Sequence, residues 1–524
     1  MKKNLIAVLL SLLLCGMLVC AAGEPLTGKT AEEIVADMGI GWNLGNTFDA
    51  TGYKAGNIYA QEQSWGNPIV DQALMQRVKD AGFTAIRIPV TWYRNLSKDG
   101  SYTIDPAFIA RVKEVVDYAY ACDLYVIINM HHEAWINVKN LDTNYVKIGE
   151  QLGAMWKQVA EAFADYDQHL IFEGMNEPRM AGTSLEWNGN KAGFDAVNYL
   201  NQVFVDAVRL EPKGNNAERC LMVPGYAASS SYAAMAAIKL PTVNGETAKN
   251  LIVSVHCYSP YDFCLSDNQK TFDPSNNAHT SSIDSVFSNV YSIFLARGIP
   301  VIIGETGATN TGNNHADRAN WAYYMGSKAA QYGVPIIIWD NGAGGSSGGE
   351  CHIWIRRKVN ENIASQSTPI PYPEVVEQLM AGAASVPWGS VRPDLTNVTS
   401  LVGGDVIWSN ENGLKSTAQW DVSYIQLPST AEWYADGSRI ALVYTGIGTP
   451  KIILNSEELG VKWIQVDAAS TEKLDDRKVA WFTAETVVKA CEKAGVTDLT
   501  KLWNFSIITI NGNITSYEIS HVGE

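Results

Sequence analysis

The sequence predicts a (β/α)8 barrel followed by a mainly-β domain, and three observations carry this prediction. Between about Asp37 and Asp340, eight short apolar runs alternate with amphipathic stretches of helical periodicity. Polar or aromatic side chains stand where these runs end. Beyond residue 386, short strand-like runs are separated by Gly, Asn and Asp turns, which favours a β-sandwich.

The eight apolar runs are the predicted barrel strands. They cover residues 38–43, 85–88, 124–128, 170–174, 221–223, 251–255, 301–304 and 336–339. One intervening helix has a clear start, because Asp105 is an N-cap residue and Pro106 suits the first helical position. Its apolar face is formed by Ile109, Val112, Val116 and Ala119.

The ends of the predicted strands hold the residues that can do chemistry. In a barrel they meet on the C-terminal rim, where active sites are built. These residues are Asn43, Arg87, His131, Asn176, Glu177, His256, Glu305 and Trp339. A doubly wound open sheet is the alternative architecture, but its dinucleotide-binding form needs a Gly-rich phosphate turn that the sequence lacks.

The chain is expected to contain a signal peptide (residues 1–22), a barrel domain (23–385) and a C-terminal domain (386–524). The small-residue run from Ala381 to Trp388 is interpreted as a linker or as the close of the barrel domain. Strands are predicted at 424–427, 440–444, 451–454 and 505–510, with one helix at 483–494. A carbohydrate-binding module and a purely structural companion both remain open, and the aromatic candidates for a binding face are Trp408, Trp420, Trp433, Trp463, Trp481 and Trp503.

The N-terminus has the layout of a cleavable secretory signal. Lys2 and Lys3 precede an apolar stretch that ends in small residues at Ala21 and Ala22. Cys20 raises the alternative of a lipoprotein anchor, which the bulk of Val19 disfavours. Because no later segment approaches the roughly 20 apolar residues of a membrane span, we expect a secreted, extracellular protein.

Charge and cysteine content exclude several classes of protein. The formal charge of −16 argues against nucleic acid as a partner, because phosphate binding needs a basic surface. The cysteines beyond the signal show neither a disulfide scaffold nor zinc-site spacing. Cys257 and Cys264 form either a local bridge or two separate thiols. We expect a monomer without metal or cofactor.

Two glutamates fit glycosidic bond cleavage, which needs one carboxyl group to protonate the leaving oxygen and a second to attack the sugar carbon or activate water. Glu177 follows the fourth predicted strand and Glu305 follows the seventh. Either one alone is equally consistent with an ion pair at the barrel mouth. On one rim, together, they predict a glycosidase.

At these residues the chain resembles glycoside hydrolase family 5, particularly its endoglucanase and xyloglucanase-like branch. The resemblance runs from about Met38 to Asn341 and follows motifs in order. These motifs are Gly-Trp-Asn-Leu-Gly-Asn-Thr-Phe-Asp (41–49), Trp-Gly-Asn-Pro (65–68), Ile-Arg-Ile-Pro-Val-Thr-Trp (86–92), Ile-Asn-Met-His-His-Glu (128–133), Asn-Glu-Pro (176–178), His-Cys-Tyr-Ser-Pro-Tyr (256–261), Gly-Glu (304–305) and Trp-Asp-Asn-Gly (339–342).

The resemblance implies that Glu177 is the acid/base and Glu305 the nucleophile of a retaining enzyme. Arg87 pairs with Glu305, or forms a structural salt bridge inside the barrel. Tyr258 is expected to donate to the nucleophile, and His256 to lie near both carboxylates and the sugar.

The remaining rim residues are expected to contact the substrate. Adjacent histidines on a strand point to opposite faces, so His131 and His132 are not expected to hold one metal ion. His131 is predicted to bind sugar, and His132 either supports the residues around it or contacts the substrate. Asn43 and Asn176 are supporting residues, and Asn176 can hydrogen-bond a sugar hydroxyl. Trp339 is the expected stacking platform, whereas Trp42, Trp65 and Trp135 either line other subsites or pack in the core.

The sequence therefore predicts a secreted endo-β-1,4-glucanase that acts on cellulose-like glucan, xyloglucan or mixed-linkage glucan. A β-mannanase is the rival within the same reaction class. A non-catalytic glycan-binding protein on the same scaffold is the rival from another class, which the presence of both Glu177 and Glu305 disfavours.

Overall fold

The computed structural model describes most of the chain beyond residue 25. The described ranges are 26–53, 57–266, 268–345, 350–363, 366–391, 399–416, 425–427, 431–456, 461–502, 504–510 and 513–523. The predicted signal and Cys20 lie outside them. Two compact units are formed, one by residues up to 284 with 300–388, and one by residues 285–299 with those from 389 onward.

Eight parallel strands close into a barrel in the first unit, which confirms the predicted fold. Around the barrel the order is β1-β10-β9-β8-β5-β4-β3-β2. Their bounds are β1 Ile40–Asn43, β2 Ala85–Ile88, β3 Tyr125–Asn129, β4 Leu170–Glu173, β5 Leu221–Ser229, β8 Leu251–His256, β9 Val301–Thr306 and β10 Ile336–Ile338. A small hairpin, β6 Thr242–Val243 with β7 Glu246–Thr247, precedes β8.

Eleven of the described α-helices begin before residue 374. They are α1 Ala31–Met38, α2 Ala60–Gln63, α3 Gln72–Asp80, α4 Pro106–Tyr120, α5 Leu141–Ala162, α6 Lys191–Arg209, α7 Tyr232–Ala236, α8 Tyr261–Cys264, α9 Asn277–Ile293, α10 His315–Tyr332 and α11 Pro373–Ala384. The predicted start of α4 is confirmed, since Asp105 accepts from the backbone N–H of Ala107 and Pro106 is the first helical residue. Short 3-10 turns occur at Tyr93–Asn95, Gly214–Ala217 and Leu295–Arg297.

The bottom of the barrel is closed by α1. Its buried residues Ile34, Val35 and Met38 join a core cluster with inward-facing strand residues such as Ile127 and Ile302. A capping box at Thr30 fixes the start of the helix, because its side chain accepts from Glu33 N–H while the Glu33 carboxylate accepts from Thr30 N–H. With this end filled, the opposite rim is the open end of the barrel.

The small-residue run that was interpreted as a linker is in part a helix. Residues 381–384 are the last turn of α11 in the first unit, so of the two alternatives they close the barrel domain. Gly382 lies so close to α10 that a Cβ there would sit 2.1 Å from the carbonyl oxygen of Tyr323. The small residues therefore permit close packing of two helices.

The second unit is mainly β, as predicted. One antiparallel sheet has the order β11-β19-β13-β17-β16 and the other β12-β18-β14-β15. Apolar side chains of both sheets, including Leu442 and Ile464, share one core, which makes a sandwich. The strands are β11 Asp405–Ser416, β12 Gln426–Leu427, β13 Arg439–Gly446, β14 Thr449–Ser456, β15 Val461–Asp467, β16 Ser470–Leu474, β17 Arg477–Thr483, β18 Asn504–Ile510 and β19 Ile514–Val522.

The predicted helix in the second unit is α12 Ala484–Lys493, capped by Thr483. Two described 3-10 turns, Ala431–Tyr434 and Leu499–Lys501, lie in the same C-terminal part of the chain. The sequence did not predict β11, β15, β16, β17 or β19, and residue 424 of the first predicted strand lies outside the described residues.

No helix within the described ranges is long and apolar enough to cross a bilayer. Cys257 and Cys264 are both buried and carry free thiols, so of the two sequence alternatives the structure contains the separate thiols.

Arg219 stabilises the backbone at the start of β4 and before it through hydrogen bonds. Its buried guanidinium donates to the carbonyl oxygens of Asp167, Leu170, Phe163 and Tyr166 at 2.8–3.0 Å. We expect Arg219→Met to lower the free energy of unfolding by about 3 kcal/mol, since several buried carbonyls lose their donor at once.

Thermal and denaturant unfolding of the purified protein would measure this loss. Lys213→Met, which removes a cation from an exposed pair with Glu161, is the control and should change stability by less than about 0.5 kcal/mol. Equal stability of the Arg219 and Lys213 variants would contradict the assigned support role.

Candidate active site

The site lies where the barrel strands end at the open rim. Asn43 and Glu173 are the last residues of β1 and β4, His256 is the last residue of β8, and Glu305 is the penultimate residue of β9. Glu177 follows β4 by four residues. Because parallel strands in a barrel end on one rim, side chains distant in sequence meet there.

Arg87, in β2, is the wholly buried centre of this rim. Its Nε donates to Glu173 at 2.7 Å, and its Nη1 donates to Glu305 at 2.8 Å and to Asn43 Oδ1 at 3.0 Å. Its Nη2 donates to Asn176 Oδ1 at 2.7 Å. Burial lowers the pKa of Arg87, but the two carboxylates outweigh it, so the net shift is upward and the group stays charged.

Glu173 is a functional-site residue to which sequence reasoning assigned no role. It is fully buried and accepts from Arg87 Nε, from Asn129 Nδ2 at 2.9 Å and from Ser254 Oγ at 2.7 Å. A buried carboxylate in an apolar strand requires a cationic partner, and this was the available signal. The partner itself lies 86 residues away in sequence.

The structure brings Glu177 and Glu305 together at the rim. Each offers a carboxylate oxygen within 4.8 Å of the other's. His256 Nδ1 lies between them, 2.9 Å from Glu177 Oε1 and 3.6 Å from Glu305 Oε2. The hydroxyl of Tyr258 also donates to Glu305 Oε2, at 3.0 Å.

His256 carries its shared proton on Nδ1. Within the described part of the chain its buried Nε2 has no hydrogen-bond partner, and it faces Gly304, where a Cβ would lie 3.3 Å away. Burial lowers the pKa of His256, but the charges of Glu305 and Glu177 reverse the shift, so it is raised. Burial raises the pKa of Glu177, and the hydrogen bond and charge of His256 turn the net shift downward. The two opposite shifts have one shared cause, which is the hydrogen bond and the charge interaction between Glu177 and His256.

Tyr258 remains a hydrogen-bond donor over the whole working pH range. Burial and the charges of Glu305 and Glu177 raise its pKa well above the ordinary tyrosine value. The phenol therefore does not compete with Glu305 as a second anion.

His131 and Trp339 form a stacked pair beside Glu305. Their ring planes differ by 2° and their centroids are 5.9 Å apart, while His131 Nε2 lies 3.9 Å from Glu305 Oε1. Asn129 Nδ2 is 3.1 Å from His131 Nδ1. Since Asn129 Oδ1 already accepts from Val90 N–H, the amide can only donate to Nδ1, and Nε2 therefore carries the proton of neutral His131. Burial holds the pKa of His131 well below its ordinary value.

The expectation that His131 and His132 point to opposite faces is wrong. Both follow the last residue of β3, so strand alternation does not apply, and their rings touch edge to face at 4.4 Å. His132 Nε2 lies 3.8 Å from Asp49 Oδ2. Although Asp49 and both histidines offer atoms within 4.8 Å, the protonated Nε2 and occupied Nδ1 of His131 disfavour a metal ion.

The other three tryptophans considered as subsite residues differ in their burial. Trp42 is fully buried and donates to Asp340 Oδ2 at 2.8 Å, so it belongs to the core. Trp65 is exposed and Trp135 half-buried. Trp135 is held by Glu133, which accepts from its Nε1 at 2.6 Å, and burial raises the pKa of Glu133 to about 7.

Two further charged residues near the carboxylate pair were not singled out from the sequence. Arg179 lies within 3.2 Å of Glu177 through Nη1. Glu350 follows β10, and burial together with the charges of Glu305 and Glu177 raises its pKa. Neither stands at a strand end, which is why the strand pattern did not identify them.

Comparisons with known proteins agree with this geometry. The family model described as Cellulase (glycosyl hydrolase family 5) matches residues 48–345. Endoglucanase B of Neocallimastix patriciarum is 43% identical over 332 residues, which is 62% of this chain and 68% of that relative.

Two solved structures show the same similarity. A GH5-4 broad specificity endoglucanase from Ruminococcus flavefaciens is 40% identical with a TM-score of 0.62, covering 68% of this chain and 99% of the other. A xyloglucan-specific endo-beta-1,4-glucanase from a metagenomic library, in complex with cellotriose, is 37% identical with a TM-score of 0.60, covering 67% and 98%. The chain belongs to glycosyl hydrolase family 5, the cellulase family.

Proposed function

We propose that the protein is a retaining endo-β-1,4-glucanase in which Glu305 is the nucleophile and Glu177 the acid/base. The observation that carries this proposal is the approach of the two carboxylates to within 4.8 Å. Retaining glycosidases hold their carboxyl groups about 5–5.5 Å apart, whereas inverting enzymes need a wider gap for water. Arg87 and Tyr258 both donate to the Glu305 carboxylate, and these contacts favour Glu305 as the nucleophile.

In the first step, Glu305 attacks the anomeric carbon and forms a glycosyl ester. The bond from that carbon to the leaving oxygen breaks, and Glu177 gives the leaving oxygen its proton. In the free protein this proton is shared with His256. A bound glucan excludes water from the rim, which deepens burial and raises the pKa of Glu177 toward the protonated form.

In the second step, Glu177 takes a proton from water as the water oxygen attacks the anomeric carbon. The ester bond to Glu305 breaks and the sugar is released with its original configuration. The roles of the two residues differ because their surroundings differ. Arg87 is always charged, while His256 exchanges its proton with Glu177.

The neighbouring residues support sugar binding in this proposal. Trp339 offers an indole face beside His131, and the Nε2–H of His131 points toward the reaction centre. Asn176 Oδ1 accepts from Arg87 Nη2, which leaves Asn176 Nδ2 to donate to a sugar hydroxyl. Asn43 does not contact the sugar itself but orients Arg87 by accepting a hydrogen bond from it. The half-exposed His132 provides a further sugar contact at the edge of the rim.

β-Glucan is the proposed substrate class because the relatives are an endoglucanase, a broad specificity endoglucanase and a xyloglucan-specific enzyme. A β-mannanase is the alternative, since the site geometry alone does not select the hydroxyl on carbon 2. We further propose that residues 1–22 direct secretion, with Cys20 anchoring as the alternative, and that the protein acts as a monomer.

Product chain length after incubation with carboxymethylcellulose, xyloglucan, mixed-linkage glucan and mannan measures the specificity. We expect rapid shortening of at least one glucan, because internal cleavage halves the chain length early. Cleavage of mannan alone would establish the β-mannanase. A folded protein that cleaves none of the four would be a glycan-binding protein.

Glu305→Gln is expected to lower kcat on the preferred glucan by on the order of 10⁴-fold or more, since the amide cannot form the ester. Thermal unfolding should show that the variant remains folded. The matched control is Glu161→Gln, an exposed glutamate at the end of α5, which should keep its activity within about twofold. Wild-type turnover by the Glu305 variant would refute the proposed mechanism.

We propose that the C-terminal domain predicted at residues 386–524 binds glucan, and one exposed aromatic residue of its described part supports this. Trp463 lies on the edge strand β15 and is 45% exposed. Trp408 and Trp481 are buried and Trp433 packs against the core, while Trp420 and Trp503 lie outside the described residues. A purely structural companion domain is the alternative.

In a Glu305→Gln background, Trp463→Ala should reduce retention on insoluble cellulose several-fold, because stacking on a sugar ring is lost. Sedimentation with cellulose measures the bound fraction. Ile447→Ala is the control, since it also shortens an exposed apolar side chain in this unit. Unchanged retention of the Trp463 variant would favour the structural companion.

A further inference from the structure

Glu177 has a second charged neighbour besides His256. Arg179 Nη1 lies 3.2 Å from Glu177 Oε2 and also donates to the Glu177 backbone carbonyl at 3.0 Å. His256 occupies the other carboxylate oxygen, Oε1. Each oxygen of the proposed acid/base therefore has its own cationic or proton-bearing partner.

Contacts with Glu186 and Trp187 hold the guanidinium of Arg179 in place. Its Nε donates to Glu186 Oε1 at 3.3 Å, and its guanidinium carbon lies 4.4 Å from the centre of the Trp187 ring. The other oxygen of Glu186 accepts from Gly182 N–H at 2.8 Å. The backbone N–H of Arg179 donates to Asn137 Oδ1. A guanidinium with this many fixed contacts holds its direction toward Glu177.

We propose that Arg179 is a positioning residue for Glu177, and that its permanent charge sets the pH range over which Glu177 gives and takes the proton of the reaction. This inference rests on the proposed acid/base role of Glu177. It extends that role to a residue that touches neither the nucleophile nor the proposed stacking pair.

The charged and titratable groups around Glu177 come from several elements of the barrel. They are His256 of β8, Tyr258 after β8, Glu305 of β9, His132 after β3, Glu350 after β10, and Arg179 of the same loop. Arg87 of β2 acts on His256 and is bound to Glu305 and Glu173. Among the ion pairs of the described residues, those made by Glu177 itself are with His256 and Arg179.

The two partners act differently on the proton. His256 titrates together with Glu177, so the pair gains and loses its proton as a unit. Arg179 stays charged at every working pH and opposes protonation of the carboxylate. Its charge therefore favours the base form of Glu177 needed in the second step, and it limits the alkaline range in which the acid form needed in the first step persists.

Removal of the Arg179 charge should shift the pH dependence of kcat/KM in a defined direction. Removing the charge of Arg179 raises the pKa of the Glu177–His256 pair, because a stabilising cation next to the carboxylate is lost. The acid form then survives to higher pH. The alkaline limb of kcat/KM, which reports the pair in the free enzyme, should move upward.

The test compares kcat/KM on the preferred soluble glucan across pH for the wild type, Arg179→Met and Arg179→Lys. The alkaline limb of Arg179→Met should move up by about one pH unit, and Arg179→Lys should return most of the way to wild type. Lys191→Met is the matched control, because it removes a cation that pairs with Asp195 at the start of α6. The alkaline limb of kcat/KM for Lys191→Met should stay at the wild-type position.

A uniform loss of kcat/KM in Arg179→Met, with both limbs unmoved, would overturn the proposal and leave Arg179 a structural residue. Arg179→Gln serves the same comparison if the methionine variant unfolds. An alkaline limb that stays shifted in Arg179→Lys would also overturn it, since the charge is then not the cause.

A separate assay tests Glu177 itself. In Glu177→Ala, azide should accelerate cleavage of an aryl β-cellobioside with a good leaving group, forming a bond from nitrogen to the anomeric carbon as the ester to Glu305 breaks. Absence of this rescue would reject the acid/base assignment. Rescue combined with an unmoved limb in Arg179→Met would reject only the role of Arg179.

Discussion

The interaction on which the rim depends is the burial of Arg87 among four acceptors. A guanidinium removed from water is costly unless its charge and its donors are matched, and breaking one partner of such a pair leaves an uncompensated charge. Here Glu173 and Glu305 match the charge, and two asparagine oxygens take further N–H groups. Because these partners come from β1, β4, the segment after β4 and β9, one side chain aligns four parts of the barrel.

This arrangement divides the site into two electrostatic environments. Glu305 faces a permanent cation and the phenol of Tyr258, which cannot lose its proton in the working range. Glu177 faces Arg179 on one oxygen and, on the other, His256, which can gain and lose a proton. Two chemically identical groups thus differ through their neighbours, which is how environment assigns acid and nucleophile roles to a pair of carboxylates.

The rest of the barrel keeps these groups at their distances. The buried α1 fills the bottom, and the close contact of α10 with α11 relies on glycine where any side chain would clash. The second unit has its own apolar core between two antiparallel sheets. Its fold therefore does not depend on the chemistry of the rim, and its proposed glucan binding rests on surface residues alone.

The sequence by itself determined the barrel, its eight strands and the residues at their ends, because strand periodicity and polar strand ends are local patterns. It also placed the two glutamates on one rim, since parallel strands share a direction. The edge strand β16 of the second unit carried no such local signal, because its side chains are mostly exposed. The run at 381–384 left two alternatives open, because small residues occur both in linkers and at close helix contacts.

Only the tertiary structure decided which partners each rim residue has. Glu173 sits in an apolar strand with no local cue to Arg87, and Arg179 acquires its role because a loop turns its guanidinium back onto Glu177. The proton position on His131 depends on Asn129, whose amide is fixed in turn by Val90 and Glu173. Periodicity along the chain specifies which face a side chain occupies. Side-chain contacts such as those of Arg87 with Glu173 and Glu305, at 2.7 and 2.8 Å, and the pKa shifts that they cause exist only after the barrel has closed.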